Sequence, residues 1–253
     1  MIINKRNCIL NSRNKNGCSN CPNACQHYIG VNGRLANVGV PTNYSQVTVN
    51  TSPVREGQEK AYGIVDRYVE TFKRIYDASA DNIKSLYLFS VETGTGKTTT
   101  AAALLNEYVI ADYLGALKAG KQPTQSPAYF LDVNAWQTLY NGFNRSNIPQ
   151  DVAERYSRPY YEMMERAKYV PFAVLDDIGV RGASEAFRSD LHTIINHRVT
   201  NGLPTVYTSN IPIEELETVF DRRLYDRVRD KKQCAVIAFE GESLRGKRYF
   251  DAN

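Results

Sequence analysis

Four short apolar segments separated by helical stretches dominate the hydrophobic pattern of the chain, and a fifth follows near its end. The five segments span residues 86–90, 128–133, 172–175, 205–207 and 235–239. Apolar segments of this length that alternate with helical stretches are typical of a mainly parallel β-sheet. The pattern therefore predicts an α/β fold in which helices cover both faces of one parallel sheet.

A helical stretch precedes the first predicted strand. Over residues 55–77, apolar side chains recur at steps of three and four, which predicts an amphipathic helix. The preceding residues 30–53 are rich in Gly, Asn, Thr and Pro and lack a sustained period, so they predict an irregular connector. We therefore expect a small N-terminal domain with its connector at 1–54 and a larger α/β domain at 55–253.

Composition and charge narrow the class of protein. The chain has 253 residues, of which 42% are hydrophobic, so it can bury a sizeable core. It contains no run of about 18 apolar residues and no basic-then-apolar leader, so we expect a cytoplasmic protein without a membrane span. The first 55 residues hold six basic side chains and no acidic one. This asymmetry favours a basic arm that meets nucleic acid or an acidic protein surface, the alternative being an ordinary solvated tail.

The N-terminal segment also holds four of the five cysteines. Closely spaced thiolates in a short, loop-rich segment of a protein in a reducing compartment are typical of a tetrahedral zinc site. Such a segment has too few apolar residues to fold alone, so zinc would supply its folding free energy. The predicted ligands are Cys18, Cys21 and Cys25, with Cys8 or His27 as the fourth. An iron–sulfur cluster and unligated thiols are the alternatives.

Residues 91–98 read VETGTGKT and match seven of the eight positions of a phosphate-binding loop, between a predicted strand and a predicted helix. Main-chain N–H groups of its glycine turn would meet the phosphates, Lys97 would reach the β and γ oxygens, and the Thr98 hydroxyl would hold Mg²⁺. The first position is Val91 where the usual pattern has glycine, so we expect the strand to run further before it turns. The sequence predicts that ATP or GTP is bound with Mg²⁺ by Glu92, Thr93, Gly94, Thr95, Gly96, Lys97, Thr98 and Thr99.

Polar side chains directly follow two more of the predicted strands. Asp176 and Asp177 follow the third strand, and Asn210 follows the fourth. Ligands of parallel sheets bind at the carboxyl ends of the strands, so Asp176 is predicted to contact Mg²⁺ and Asp177 to activate water. Asn210 would orient that water. The alternatives are that the Asp pair starts a turn and that Asn210 caps the following helix.

Several of these stretches together resemble one family. VETGTGKTTTAAALL, FAVLDDIGV, TVYTSN and LYDRVRD followed by GESLR are similar to the AAA+ ATPases of the DnaC/DnaI helicase-loader and IstB transposition-helper clade. The likeness runs from about residue 56 to the end of the chain and implies an AAA+ P-loop fold that uses ATP and Mg²⁺. It also implies that Arg227 is an arginine finger for the neighbouring subunit and that Arg245 contacts the nucleotide, hence a homo-oligomer. The nearby Arg222, Arg223 and Arg229 are alternative fingers.

The cysteine-bearing N terminus resembles the DnaI side of this clade, in which a zinc-binding domain docks on the replicative helicase. The resemblance implies a loader that grips a hexameric helicase through its N-terminal domain and deposits it on single-stranded DNA. The small size of the chain would suit a phage-encoded loader. Asp177 stands where many AAA+ enzymes have glutamate, so we expect slow turnover.

Two other functions stay open at this point. One is an IstB-like transposition ATPase that acts on duplex DNA, and the other is a zinc-dependent nucleic-acid adaptor with a non-catalytic nucleotide switch. A small-molecule kinase would have no use for Asn210 and Arg227. The resemblance implies that residues 134–166 hold the pore-facing helices of the clade, where Trp136, Tyr140, Phe143 and Arg145 would offer stacking and phosphate contacts to DNA. The alternative is that Trp136 and Leu139 pack on the sheet.

Overall fold

Five parallel strands form one sheet in the computed structural model, which describes residues 8–10, 25–179, 182–219, 225–226, 228–230 and 232–243. The strands lie in the order β2-β3-β4-β1-β5. Every pairing between them is parallel, which confirms the predicted sheet. Their bounds are β1 Ser85–Phe89, β2 Ala128–Asp132, β3 Phe172–Asp176, β4 Thr205–Ser209 and β5 Cys234–Ala238.

The α-helices of the described residues follow the predicted alternation. Their bounds are α1 Gln26–Leu35, α2 Glu59–Glu70, α3 Lys97–Lys118, α4 Val133–Phe143, α5 Gln150–Tyr169, α6 Glu185–Thr200 and α7 Leu216–Val219. The helix expected at 55–77 is α2, followed by a 3-10 turn at Thr71–Arg74. Side chains fix two helix starts, because Asp132 accepts from the main-chain N–H of Ala135 and Ser184 accepts from that of Phe187.

Helices pack on both faces of the sheet because its side chains alternate between them. Leu86 and Leu88 of β1 point into a core that they share with α1, α2 and α3. Tyr87, between them, points into a second core formed with α4, α5 and α6. Strands β1 to β4 are therefore largely buried on both sides, whereas Val236 of the edge strand β5 is exposed, and ligands can reach the central strands at their ends.

The segment predicted as an irregular connector is partly helical. Helix α1 extends to Leu35, and its buried Val31 and Leu35 join the core that contains α3. Arg34 donates to the main-chain carbonyls of Thr124 and Pro123, which ties α1 to the chain after α3. Gly30 and Gly33 concealed this helix in the sequence because glycine disfavours helices in isolation, whereas packing overrides propensity here. The division of the chain at residue 54 stays a prediction.

The aromatic residues of α4 are part of the core. Trp136 is fully buried and stacks on Tyr160, with ring centroids 4.6 Å apart, and its Nε1 donates to the Tyr160 carbonyl at 3.0 Å. Tyr140 is also buried, and Phe143 packs against it. The alternative that Trp136 packs in the protein is therefore confirmed, and stacking of the buried Trp136 and Tyr140 rings on DNA bases is wrong. Phe143 is partly buried and Arg145 is exposed, and their contacts with DNA stay a prediction.

None of the helices in the described part of the chain combines the length and the apolar character that crossing a bilayer requires.

Candidate nucleotide-binding site

The phosphate loop connects the end of β1 to the first turn of α3. Its two glycines have positive φ angles, 78° at Gly94 and 101° at Gly96, a conformation that L side chains rarely adopt. At Gly96 there is also no room for a side chain, because a Cβ would lie 2.7 Å from Val54. The loop therefore leads into the start of α3, where main-chain N–H groups would face a bound anion.

The start of the loop differs from the expectation. Strand β1 ends at Phe89, so the strand does not run on to compensate for Val91, which is 69% exposed on the surface. Glu92 and Thr93 are exposed as well. The turn is made instead by the glycines further along, and the first motif position need not be glycine for this loop to form.

The side chain of Lys97 folds back against the earlier residues of the phosphate loop. Its side chain is only 8% exposed, and its ammonium group donates to the main-chain carbonyls of Glu92 at 3.0 Å and Ser90 at 3.4 Å. Thr95 and Thr99 are buried beside it, and the Thr95 hydroxyl has no hydrogen-bond partner among the described residues. A fixed ammonium group at a helix N-terminus suits the negative charge of a triphosphate.

Two threonine hydroxyls donate hydrogen bonds to the carboxylate of Asp176, the first residue of the Asp176–Asp177 pair. Thr98 donates to Asp176 at 3.0 Å, and Thr208 of β4 donates to it at 2.7 Å. Burial raises the pKa of Asp176 to about 6, and the nearby Asp132 and Asp177 also raise it, while the two hydroxyl bonds lower it. The Thr98 hydroxyl and the buried Asp176 carboxylate are hard oxygen ligands of the kind that Mg²⁺ prefers.

The second carboxylate is held by Asn134, a residue that the sequence motifs do not assign to the nucleotide site. Asp177 has a φ of 61°, its main-chain N–H donates to Thr208 at 2.8 Å, and its carboxylate accepts from the Asn134 amide at 2.8 Å. Asn134 is reached because β2 pairs with β3 and places Asp132 opposite Asp176. The alternation of strands could not reveal this contact, because it does not say which strands are neighbours.

Asn210 lies at the same edge of the sheet, directly after β4, which is the neighbour of both β1 and β3. Its side-chain oxygen is buried and has no partner among the described residues. The following 3-10 turn starts after Pro212, and no side chain caps it. Asn210 therefore does not cap that turn and remains available to a ligand at the carboxyl ends of these strands.

Other predicted site residues lie outside the described residues, namely Cys18, Cys21, Arg222, Arg223, Arg227 and Arg245. Of the alternative fingers, Arg229 is described, and its side chain pairs with Asp226 at 3.3 Å and donates to the Tyr225 hydroxyl at 2.9 Å.

The described part of the cysteine segment contains two of the predicted zinc ligands. Cys8 and Cys25 are both free thiols, and Cys25 lies at the N-terminal cap position of α1. His27 contacts the Tyr113 hydroxyl at 3.3 Å. Within the described ranges, no cluster of three or more His, Cys, Asp or Glu side chains could hold a metal ion. The zinc site stays a prediction.

Comparisons with known proteins find relatives of this chain in sequence. No protein-family model matches the chain. It is 27% identical over 198 residues to the replicative helicase loader DnaC of Escherichia coli K12, a match that covers 77% of this chain and 68% of DnaC. It is 24% identical over 192 residues to the replicative helicase loader DnaI of Bacillus subtilis, covering 71% of this chain and 53% of DnaI.

Solved structures show the same fold. A crystal structure of DnaI aligns with a TM-score of 0.54 at 22% identity, over 81% of this chain and 94% of that one. The AMPPCP-bound DnaA of Aquifex aeolicus aligns with a TM-score of 0.51 at 18% identity, over 79% of this chain and 51% of that one.

The parallel sheet, the phosphate loop and these alignments define the chain as a protein with the AAA+ P-loop fold. Within that class it is similar to the replicative helicase loaders DnaC and DnaI, which confirms the resemblance found in its motifs. At the level of the family, this similarity supports nucleotide binding, ATPase chemistry and a helicase-loading role.

The buried Asp176 predicts a pH-dependent stability. Because its pKa is higher in the folded chain than in the unfolded one, its stabilising contribution is fully present below about pH 4 and is lost as the pH rises through about 6. Without Mg²⁺ or nucleotide, Asp176→Asn should therefore raise the free energy of unfolding at pH 7.5 by up to about 3 kcal/mol. Urea unfolding in chelator at pH 7.5 and pH 4 measures it, and the gain should vanish at pH 4. A variant less stable than wild type at pH 7.5 would contradict this prediction.

Proposed function

We propose that this chain is an ATP-dependent loader that binds a replicative hexameric DNA helicase and deposits it on single-stranded DNA. The observation that carries the proposal is the likeness, in both sequence and fold, to DnaC and DnaI. The geometry at the carboxyl ends of β1, β3 and β4 supports it, because it brings together side chains suited to binding a nucleotide and Mg²⁺.

Each part has a distinct role in hydrolysis. Lys97 and the N–H groups at the start of α3 bind and orient the phosphates, while Thr98 and Asp176 hold the metal. Bound Mg²⁺ supplies positive charge that neutralises the phosphates. Asp177 accepts a proton from the attacking water, and Asn210 orients that water. The hydrogen bond from Asn134 holds the Asp177 carboxylate in place for this role.

Assembly and partner binding extend the proposal beyond the described residues. Arg227 acts as the finger on the neighbouring subunit's nucleotide, and Arg245 contacts the nucleotide of its own subunit, so that hydrolysis depends on a homo-oligomer. The N-terminal segment, with its predicted zinc ligands and its excess of basic side chains, docks on the helicase.

A loading assay tests this function. The purified chain is mixed with a replicative hexameric helicase, ATP, Mg²⁺ and single-stranded DNA coated with single-strand-binding protein, and unwinding of an annealed oligonucleotide is followed. We expect unwinding to require the chain and ATP, and the chain to sediment with the helicase.

The alternatives predict other outcomes of the same assay. Failure to bind helicases, together with a preference for duplex over single-stranded DNA, would replace the loader with an IstB-like transposition ATPase. Full loading by the Lys97→Ala variant would instead indicate an adaptor whose nucleotide site is not catalytic.

A further inference from the structure

A strap formed by residues 42–58 lies along α3 and ends beside the phosphate loop. The buried Asn106 of α3 donates its side-chain amide to two main-chain carbonyls of the strap, at 2.9 Å each. The adjacent Glu107 carboxylate accepts from the main-chain N–H of Val49 at 3.2 Å. Buried polar groups are costly unless they are hydrogen-bonded, so these contacts fix the strap to one position on the helix.

The end of the strap contacts the phosphate loop directly. Val54 packs against Gly96, where it leaves no space for a Cβ. Gln58 is 8% exposed, and its Nε2 donates to the Thr95 carbonyl at 3.4 Å and to the Glu240 carbonyl at 2.6 Å. Its Oε1 accepts from the main-chain N–H of Glu240 at 3.4 Å. One side chain thus joins the strap, the loop and the chain after β5.

The contact with Thr95 matters because of peptide geometry. The Thr95 carbonyl belongs to the planar trans peptide unit that carries the Gly96 N–H, so the two groups point in opposite directions. Gln58 holds the carbonyl on its own side and therefore turns the Gly96 N–H away from itself. Gly96 has no side chain to restrict rotation of this peptide unit. The hydrogen bond from the buried Gln58 therefore supplies a restraint on the orientation of this peptide unit.

We propose that Gln58 is a positioning residue of the nucleotide site, which sets the Thr95–Gly96 peptide so that the Gly96 N–H meets a phosphate oxygen. The inference rests on the nucleotide binding proposed above and adds a residue outside the phosphate-loop motif. An N–H bond to a phosphate is present both before and during hydrolysis. Losing it should therefore weaken binding of ground state and transition state alike, raising KM and leaving kcat nearly unchanged.

Two substitutions test this role. Gln58→Ala removes the side chain, whereas Gln58→Met removes the amide and keeps a side chain of similar length. In both variants we expect the Kd for ADP and the KM for ATP to rise about tenfold, with kcat within about twofold of wild type. Gln46→Ala is the matched control, because Gln46 is an exposed glutamine of the same strap, bonded to Asn32. It should leave all three quantities unchanged.

The outcomes separate this inference from the proposed function. Titration calorimetry with ADP and steady-state phosphate release are carried out below the melting temperature of each variant. The inference is overturned if Gln58→Met binds ADP like wild type, since packing rather than the amide would then matter. A fall in kcat at unchanged KM, or the same loss in Gln46→Ala, overturns it as well. Wild-type protein that binds no ADP overturns nucleotide binding itself.

Discussion

Lys97→Ala should reduce ATP hydrolysis about a thousandfold and weaken ADP binding, the largest loss expected from any single change outside the catalytic carboxylates. The ammonium group of Lys97 is buried within the loop and bonded to the carbonyls of Glu92 and Ser90, so it is already fixed where the phosphates would lie. Alanine leaves no positive side chain in the loop. Phosphate release at saturating ATP and titration calorimetry with ADP measure the two effects.

The control for this change lies on the same helix. Lys118 is the last residue of α3 and is exposed, so Lys118→Ala removes an equal charge far from the loop. It should hydrolyse ATP at the wild-type rate. Near-normal hydrolysis by Lys97→Ala would show that the phosphates are bound elsewhere, and the mechanism proposed for this site would then be wrong.

The sequence predicted best what depends on local pattern. Buried parallel strands must be apolar on both faces, so segments such as 172–175 stand out, and the polar residues at their ends, Asp176 and Asp177, follow directly. The phosphate loop could be predicted equally well, because the positive φ angles at positions 94 and 96 favour glycine, which marks the motif in the sequence.

Features that depend on long-range contacts could not be predicted in this way. Helix α1 is stabilised by packing on α3, and its own residues include two glycines. The sequence around Trp136 does not show whether its ring stacks on a nucleic-acid base or, as in the structure, on Tyr160. Gln58 contacts Thr95, which lies 37 residues further along the chain, and Asn134 contacts Asp177, which lies 43 residues further along. The path of the strap and the order of the strands bring these residues together. Their roles appear only once the sheet is assembled.

Asp177→Asn should separate hydrolysis from nucleotide binding. Without a carboxylate to accept the proton of the attacking water, we expect kcat to fall about a thousandfold. Mg²⁺ and the phosphates are held by Asp176, Thr98 and Lys97, so the Kd for ADP should stay within about twofold of wild type. Single-turnover hydrolysis and ADP titration measure the two quantities.

The local structure makes this substitution a clean test. Asparagine tolerates the left-handed φ of 61° at Asp177 as well as aspartate does, so no backbone strain is added. The new amide oxygen can still accept the hydrogen bond from Asn134, and the main-chain bond to Thr208 is unaffected. Asp151→Asn, an exposed change at the start of α5, controls for the lost charge. If ADP affinity fell in step with kcat, Asp177 would be shaping the site rather than accepting a proton.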